Sequence, residues 1–307
     1  MNRIFFIGEC MAELRVLDNG DLRQSFAGDV YNSAVYLKRC FKQFDTALFT
    51  AVGNDKLSQR MIARLDEENL NTEFVFKHPD KTLGLYMIET DESGERSFSY
   101  WRNDSAARKL VNFLDDTLVN ALNPEDVMFF SGISLAVIDE DTRERFWEII
   151  DTLKDRGLKI IFDSNYRPRL WSCVQEAKYQ YEQALAHADM ILPSVEDLQP
   201  LFGVGNPEEL VAFCRLYDIE EIVVKDGPNS VLSSYQGQQQ YHQIIPVEKV
   251  IDTTSAGDAF NGVYVGARLS GKSVDEAVKQ AACAAGVVIQ FAGAIVPYDH
   301  FMKAIKA

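Results

Sequence analysis

A chain of 307 residues, 47% hydrophobic and 25% charged, has an ordinary globular composition, long enough for one large α/β domain or two small ones. Its net charge of −15 excludes general affinity for nucleic acid or anionic membranes, so an anionic substrate must be held by a local cluster of cations. No apolar run reaches membrane-span length, and the scattered Cys10, Cys40, Cys173, Cys214 and Cys283 lack metal-ligand spacing, reading as reduced, mostly buried thiols of a cytoplasmic protein.

The N-terminal run is charged too early for a signal peptide and reads as a first strand, Ile4–Gly8, followed by Glu9. Two alternating stretches, Glu13–Leu17 and Leu22–Phe26, flank Asp18-Asn19-Gly20, a strong hairpin signal. The run Ala27-Gly28-Asp29-Val30-Tyr31-Asn32-Ser33-Ala34 opens a helix to about Phe41. Strand Ala47–Val52 and a helix near Ser58–Glu68 follow. From Thr82 to Arg102 the pattern becomes long alternating β with a turn at Asp91-Glu92-Ser93-Gly94. The two hairpins together predict a small sheet standing apart from the main body.

The remainder alternates strand and helix: Val127–Ser131, Asp141–Arg156, Lys159–Asp163, Glu176–Ala186, Met190–Leu192, Pro207–Tyr217 and Glu221–Lys225. This spacing implies parallel βαβ units covered on both faces, with ligands bound beyond the carboxyl ends of the strands. Asp163, Asn165, Arg167, Ser194, Lys225, Gly227 and Asp258 therefore fall on one rim. Without repeats or long linkers, residues 1–307 read as a single α/β domain with a β appendage, about 13–26 and 82–102.

The most informative stretch is Ile251-Asp252-Thr253-Thr254-Ser255-Ala256-Gly257-Asp258-Ala259-Phe260-Asn261-Gly262. A β-like run, Tyr241–Val250, precedes it and a helix rich in small residues, Ala259–Leu269, follows. Thr, Ser, Ala and Gly ahead of a first-turn carboxylate make a helix N-terminus with exposed N–H groups, which attracts phosphate. Asp258 is then placed to act as a general base on an attacking hydroxyl. On the other reading Asp252 or Ser255 merely caps the helix and Gly257 packs it closely.

The string from Asp252 to Gly262 resembles the C-terminal signature of the ribokinase-like carbohydrate kinases, and Gly28 to Ala34 resembles their N-terminal one. More narrowly, Gly8-Glu9-Cys10-Met11, Gly84 to Thr90, Gly94-Glu95-Arg96, Tyr100-Trp101-Arg102-Asn103, Ser131 to Leu135 and Asn165-Tyr166-Arg167-Pro168-Arg169-Leu170-Trp171 resemble the 2-keto-3-deoxygluconate kinases. The match is collinear from about residue 3 to residue 297. It implies a ribokinase-like three-layer αβα domain with a mainly parallel sheet, a small β-sheet lid, and phosphoryl transfer from ATP to the 6-hydroxyl of a keto-deoxy sugar acid.

The resemblance also implies roles. Asp258 matches the catalytic Asp; with an ordinary pKa near ~4 it acts late, mainly by orienting the nucleophile. Ala256, Gly257 and Asp258 match the anion hole, where a side chain at Gly257 would block approach of the phosphoryl group. Gly28, Asp29 and Asn32 match sugar-hydroxyl contacts, Tyr86, Tyr100 and Arg102 match the lid's substrate contacts, and Glu9 lies where many relatives use an Asp on the sugar. Arg102 and Arg167 are the candidates for the substrate carboxylate, because a guanidinium fork donates two parallel hydrogen bonds. Taken on composition alone, the tyrosines are strand packing, the arginines are solvated, and the Gly28 region is a capped turn.

Asn165, Ser194, Lys225, Gly227, Asn229 and Ser255 are expected around ATP and its Mg²⁺, with no metal ligand assigned. Two departures stand out. Many relatives carry Asn-x-x-Glu where this chain has Ser194-Val195-Glu196-Asp197, and the second Gly after Lys-x-Gly is Ser230, which must take that turn. Adenine is expected near Ala281–Ile289, unless that helix is plain core, and some relatives bind a monovalent cation such as K⁺ near Asp252 and Gly293-Ala294. Leu83, Leu85, Met87, Phe98 and Tyr100 are expected to form one apolar lid face that closes over substrate or pairs with a second copy, giving a homodimer or larger assembly. A kinase of a neutral sugar such as fructose, and a catalytically silent sugar-acid-binding regulator, remain as alternatives.

Overall fold

The computed structural model describes residues 3–17, 19–90 and 96–306. Asp18 and the expected turn Asp91–Gly94 lie outside them. The strands among the described residues are β1 (Arg3–Ile7), β2 (Met11–Val16), β3 (Leu22–Ala27), β4 (Asp45–Val52), β5 (Val75–Lys77), β6 (Gly84–Thr90) and β7 (Arg96–Trp101). They continue with β8 (Val127–Ser131), β9 (Lys159–Asp163), β10 (Met190–Ile191), β11 (Glu221–Asp226), β12 (Ser230–Tyr235) and β13 (Gln238–Gln243).

The main sheet runs β13-β12-β11-β10-β9-β8-β1-β4-β5, parallel from β11 to β5, with β12 and β13 added antiparallel at one edge. The strand β1 is almost wholly apolar because both of its faces are covered: Phe5 and Ile7 pack into one core, Ile4 and Phe6 into the other. The chain enters at β1, winds to β4 and β5 on one side, and later runs outward from β8 on the other. That reversal beside β1 is where a doubly wound sheet leaves a crevice at its carboxyl edge.

Helices Asp29–Cys40 and Ala256–Leu269 pack beside this edge with almost no space between their backbones. A Cβ on Gly262 would lie 2.1 Å from the Ser33 carbonyl oxygen, so glycine alone permits this approach. The contact brings the first turns of the two helices together. No helix among the described residues is long and apolar enough to cross a membrane.

The second sheet, β3-β2-β6-β7, corrects one expectation. Its register pairs Tyr86 with Tyr100 and Ile88 with Phe98, while Leu85 faces Trp101 and Met87 faces Ser99. Because strand side chains alternate, Phe98 and Tyr100 belong to the face of Tyr86, and Leu83, Leu85 and Met87 to the opposite one. The expected single apolar face is thus two faces. One carries Glu13, Tyr86 and Tyr100; the other lines a cleft of about 590 Å³ with Leu14, Leu57, Leu83, Leu85, Met87 and Trp101.

Two local expectations also fail. The run Tyr241–Val250 is strand only to Gln243, the end of β13; beyond it Ile245 is 89% exposed and Pro246 removes a ladder donor. Its partner β12 reaches β13 through a tight turn, with Gln236 and Gly237 at positive φ. Ser230 does not take the turn of the missing glycine: it pairs with Asp226 as the first residue of β12, and Gly227, at φ 54°, supplies the left-handed position.

Candidate active site

Asp258 lies in the first turn of helix Ala256–Leu269, partly open to the crevice. Asn32, from the first turn of Asp29–Cys40, donates from Nδ2 to Asp258 Oδ2 at 2.8 Å. Enclosure by the protein, then the charges of Asp29 and Asp163, push the Asp258 carboxyl up to about 7, against the lowering pull of Asn32 and Lys225. The carboxyl thus lies above the ordinary value near ~4 expected from sequence, first because it is enclosed and then because Asp29 and Asp163 share the crevice.

Of the two residues in the capping alternative, Asp252 accepts from Thr254 N at 2.9 Å in the turn ahead of the helix, but Ser255 does not cap it. Ser255 sits at the N-cap in a left-handed conformation, φ 66°, and makes no side-chain cap hydrogen bond; its Oγ is buried without a partner. Close packing does not explain Gly257 either: a Cβ there would meet nothing nearer than Lys225 Nζ at 4.0 Å, so it would project into open space in front of the helix. Ala256 N donates to the Thr253 carbonyl at 3.3 Å, which leaves the following amides as the freer donors of this N-terminus.

Lys225, at the end of β11, donates from Nζ to Asp163 Oδ1 at 2.9 Å and Asn261 Oδ1 at 3.0 Å, holding a cation against the open helix end. Asp163 is buried, which raises its carboxyl, and Lys225 pulls it back down. Asn165, at φ 27°, donates to Asp29 Oδ2 at 3.0 Å, and Ser131 Oγ donates to the same oxygen. Two non-glycine residues in left-handed conformations, Asn165 and Ser255, therefore flank this crevice, as strained backbone does at functional sites.

The altered Ser194-Val195-Glu196-Asp197 motif is engaged within itself. Ser194 caps helix Val195–Phe202, accepting from Asp197 N at 3.1 Å, and Asp197 Oδ2 accepts from Ser164 Oγ at 2.8 Å. Arg167, largely exposed, reaches Asp197 at 3.4 Å and the Tyr166 carbonyl at 2.8 Å. Asn229 donates to Asp226 at 3.1 Å across the turn containing Gly227.

Arg102 directly follows β7. It is buried and paired with Glu9, and its Nε and Nη2 lack well-directed hydrogen bonds. Glu9 follows β1 where the chain leaves the main sheet, and the other crossings gather on it. A Cβ on Gly28 would lie 2.3 Å from the Glu9 carbonyl oxygen, and one on Gly84 would lie 2.3 Å from its Oε1. Beyond them the Tyr86 and Tyr100 rings stack with centroids 5.8 Å apart, and Tyr86 donates its hydroxyl to Glu13. Glu13, buried and also accepting from Ser25 Oγ at 3.0 Å, joins this cluster and was not singled out from the sequence, where its signal was an acidic residue in a strand.

No group of three His, Cys, Asp or Glu among the described residues has metal-holding geometry, and Mg²⁺ commonly keeps its waters and binds through phosphates. At the expected monovalent-cation region the Asp252 carboxylate is already met by the Thr254 and Gly293 amides, each at 2.9 Å, and by Arg96 and Arg15. Its side chain is committed to donors.

Residues 1–300 match the profile described as pfkB family carbohydrate kinase. A 2-dehydro-3-deoxygluconokinase of Dickeya dadantii (strain 3937) is 39% identical over 302 residues, covering 96% of this chain and 97% of its own. The protein of that name from Escherichia coli (strain K12) is 38% identical over 306 residues, covering 97% and 98%. Among solved structures, a fructokinase from Vibrio cholerae O395 in a fructose, ADP and calcium ion bound form superposes with a TM-score of 0.85 at 26% identity, covering 99% of both chains.

Proposed function

The chain belongs to the pfkB family of carbohydrate kinases, and we propose that it transfers the γ-phosphoryl group of ATP to the 6-hydroxyl of 2-keto-3-deoxygluconate (2-dehydro-3-deoxygluconate). The observation that carries this reading is Asp258, oriented by Asn32 at an uncapped helix N-terminus with Lys225 beside it. In this reading the 6-hydroxyl oxygen bonds to the γ-phosphorus, the bond to the β,γ-bridging oxygen breaks, and Asp258 takes the hydroxyl proton. A carboxyl near 7 is a better proton acceptor than an ordinary aspartate, yet is still substantially ionised at neutral pH. The amides of Gly257 and Asp258, with Lys225, stabilise charge on the transferred group, whereas the Ala256 amide expected to join them is turned to the Thr253 carbonyl, and Ser255 Oγ gains a partner from the nucleotide phosphates.

On the sugar side, Gly28, Asp29 and Asn32 hold hydroxyls, Tyr86 and Tyr100 contact the substrate from the small sheet, and the guanidinium groups of Arg102 and Arg167 take its carboxylate. Asn165, Ser194, Gly227 and Asn229 belong to the nucleotide side. Chemically, Mg²⁺ bound to ATP offsets phosphate charge. The small sheet acts as a lid, and its face of Leu85, Met87 and Trp101 pairs with a second copy. The five free cysteines fit a reducing, cytoplasmic setting, although they are not mostly buried as expected: Cys10 and Cys214 are buried, Cys40 is half-buried, and Cys173 and Cys283 are exposed. ADP release from ATP and Mg²⁺ with 2-keto-3-deoxygluconate, set beside fructose, tests the reading: turnover confined to fructose would replace the substrate, and none on either would remove the reaction.

A further inference from the structure

Two arginines of the small sheet converge on one buried carboxylate of the main body. Arg96 opens β7 and Arg15 lies near the end of β2; both project from the face that carries Glu13, Tyr86 and Tyr100. Arg96 Nη1 donates to Asp252 Oδ1 at 2.6 Å and Thr254 Oγ1 at 3.3 Å, and its Nη2 donates to the Ile251 carbonyl at 3.3 Å. Arg15 Nη2 reaches Asp252 Oδ2 at 3.5 Å. Asp252 is 1% exposed and binds the amides of Thr254 and Gly293, so it fixes both the segment leading to Ser255 and the turn at Gly293.

One guanidinium thus grips three acceptors within Ile251–Thr254, directly ahead of the strained Ser255 and the open helix end. The same strands bear Tyr86 and Tyr100 on the same face. Among the described residues, Arg96 and Arg15 pair with none of Asp29, Asp163 and Asp258. The contacts of Arg96 serve the loop, while Arg15 bridges it to Glu13, whose Oε1 lies 3.9 Å from its Nη2.

We propose that Arg96 and Arg15 are positioning residues that lock the small sheet to the Asp252–Ser255 loop, so that the anion-binding helix end is correctly set only when the sheet is seated on the body. This rests on the kinase reading for its catalytic consequence, but not for its structural one. The ion pairs are partly enclosed, where a guanidinium–carboxylate contact with additional acceptors is worth more than an exposed pair. A loop held at the helix end is also where a small displacement costs rate rather than binding.

The test compares wild type, Arg96→Met, Arg96→Lys, Arg15→Gln, Asp252→Asn and the Arg96→Met/Asp252→Asn double variant by steady-state kinetics. Amide hydrogen exchange over residues 251–258 is measured on the same full-length proteins without ligands. Expected are a kcat loss of about tenfold or more in Arg96→Met, with the KM of the sugar acid within about threefold, and partial recovery in Arg96→Lys. The double variant should be little worse than either single one, because both break the same contact. Exchange at 254–258 should rise by about tenfold or more in Arg96→Met and by less in Arg15→Gln. Unchanged exchange in these variants overturns the proposal whatever the substrate proves to be, and so do multiplicative losses in the double variant. Should Arg96→Met fail to fold, exchange in Arg15→Gln and Arg96→Lys decides the matter. Absence of wild-type turnover with altered exchange would count against the kinase reading alone.

Discussion

Asn32 Nδ2 lies 2.8 Å from Asp258 Oδ2, and this one hydrogen bond joins the first turns of two helices that meet through glycine-thin packing. The amide points the carboxylate into the crevice and lowers the cost of its charge. Replacing Asp258 by Asn should lower kcat by about 10²–10⁴ with little change in sugar KM, since the proton acceptor is lost and the shape is kept. Steady-state kinetics at saturating ATP reads this directly.

The pH dependence follows from the raised carboxyl. Activity requires ionised Asp258, so kcat/KM should fall as pH drops below about 7. Removing the Asn32 donor by Asn32→Ala destabilises the charged form and should move the acid limb to higher pH. A limb that stays below pH 5 in both proteins would contradict this assignment.

Stability should respond in the opposite sense. With its pKa raised from 3.8 to about 7, Asp258 favours the folded state most when protonated, fully below its unfolded value, and that contribution is lost as pH rises through 7. Asp258→Asn should therefore melt higher than wild type at pH 8.5, on the order of 2 °C or more, with the gap closing towards pH 5. Paired thermal melts at the two pH values check the sign.

Gly262→Ala tests whether helix packing sets the site. The added methyl would stand 2.1 Å from the Ser33 carbonyl oxygen, so the helices must separate, and Asn32 with Asp258 must part. A loss of about 2 kcal/mol or more in stability, accompanied by a fall in kcat, is expected. A variant of wild-type stability and rate would show that the helices yield freely.

Arg102→Met should raise the KM for 2-keto-3-deoxygluconate by about tenfold or more, while turnover of any neutral sugar the enzyme accepts stays within about twofold. Equal effects on acid and neutral sugars would mean that Arg102 only braces Glu9 at the junction of the two sheets.

Much of this arrangement was legible in the chain. The alternation of strands and helices gave the parallel sheet, and the run from Asp252 to Gly262 pointed to the helix end that carries Asp258, because glycine and small polar residues before a first-turn carboxylate leave few other structures. What stayed hidden depended on register and proximity. Alternation along β6 and β7 cannot say which residues face each other, so Phe98 and Tyr100 were grouped with the wrong face. The strand before Asp252 was misplaced because an exposed edge hairpin, β12 with β13, has little apolar periodicity. Asp258's basicity was invisible too, since Asp29 and Asp163 are distant in sequence and meet it only in the fold. Glu13 and the Arg96–Asp252 contact belong with these: each joins distant segments through one polar side chain.

The most direct measurement is ATP- and Mg²⁺-dependent ADP release with 2-keto-3-deoxygluconate, fructose, ribose and gluconate offered separately to wild type and Asp258→Ala. The account predicts strong turnover on the keto-deoxy acid alone, reduced by orders of magnitude in the variant. Turnover on fructose or ribose instead, or activity that survives the loss of Asp258, would contradict it.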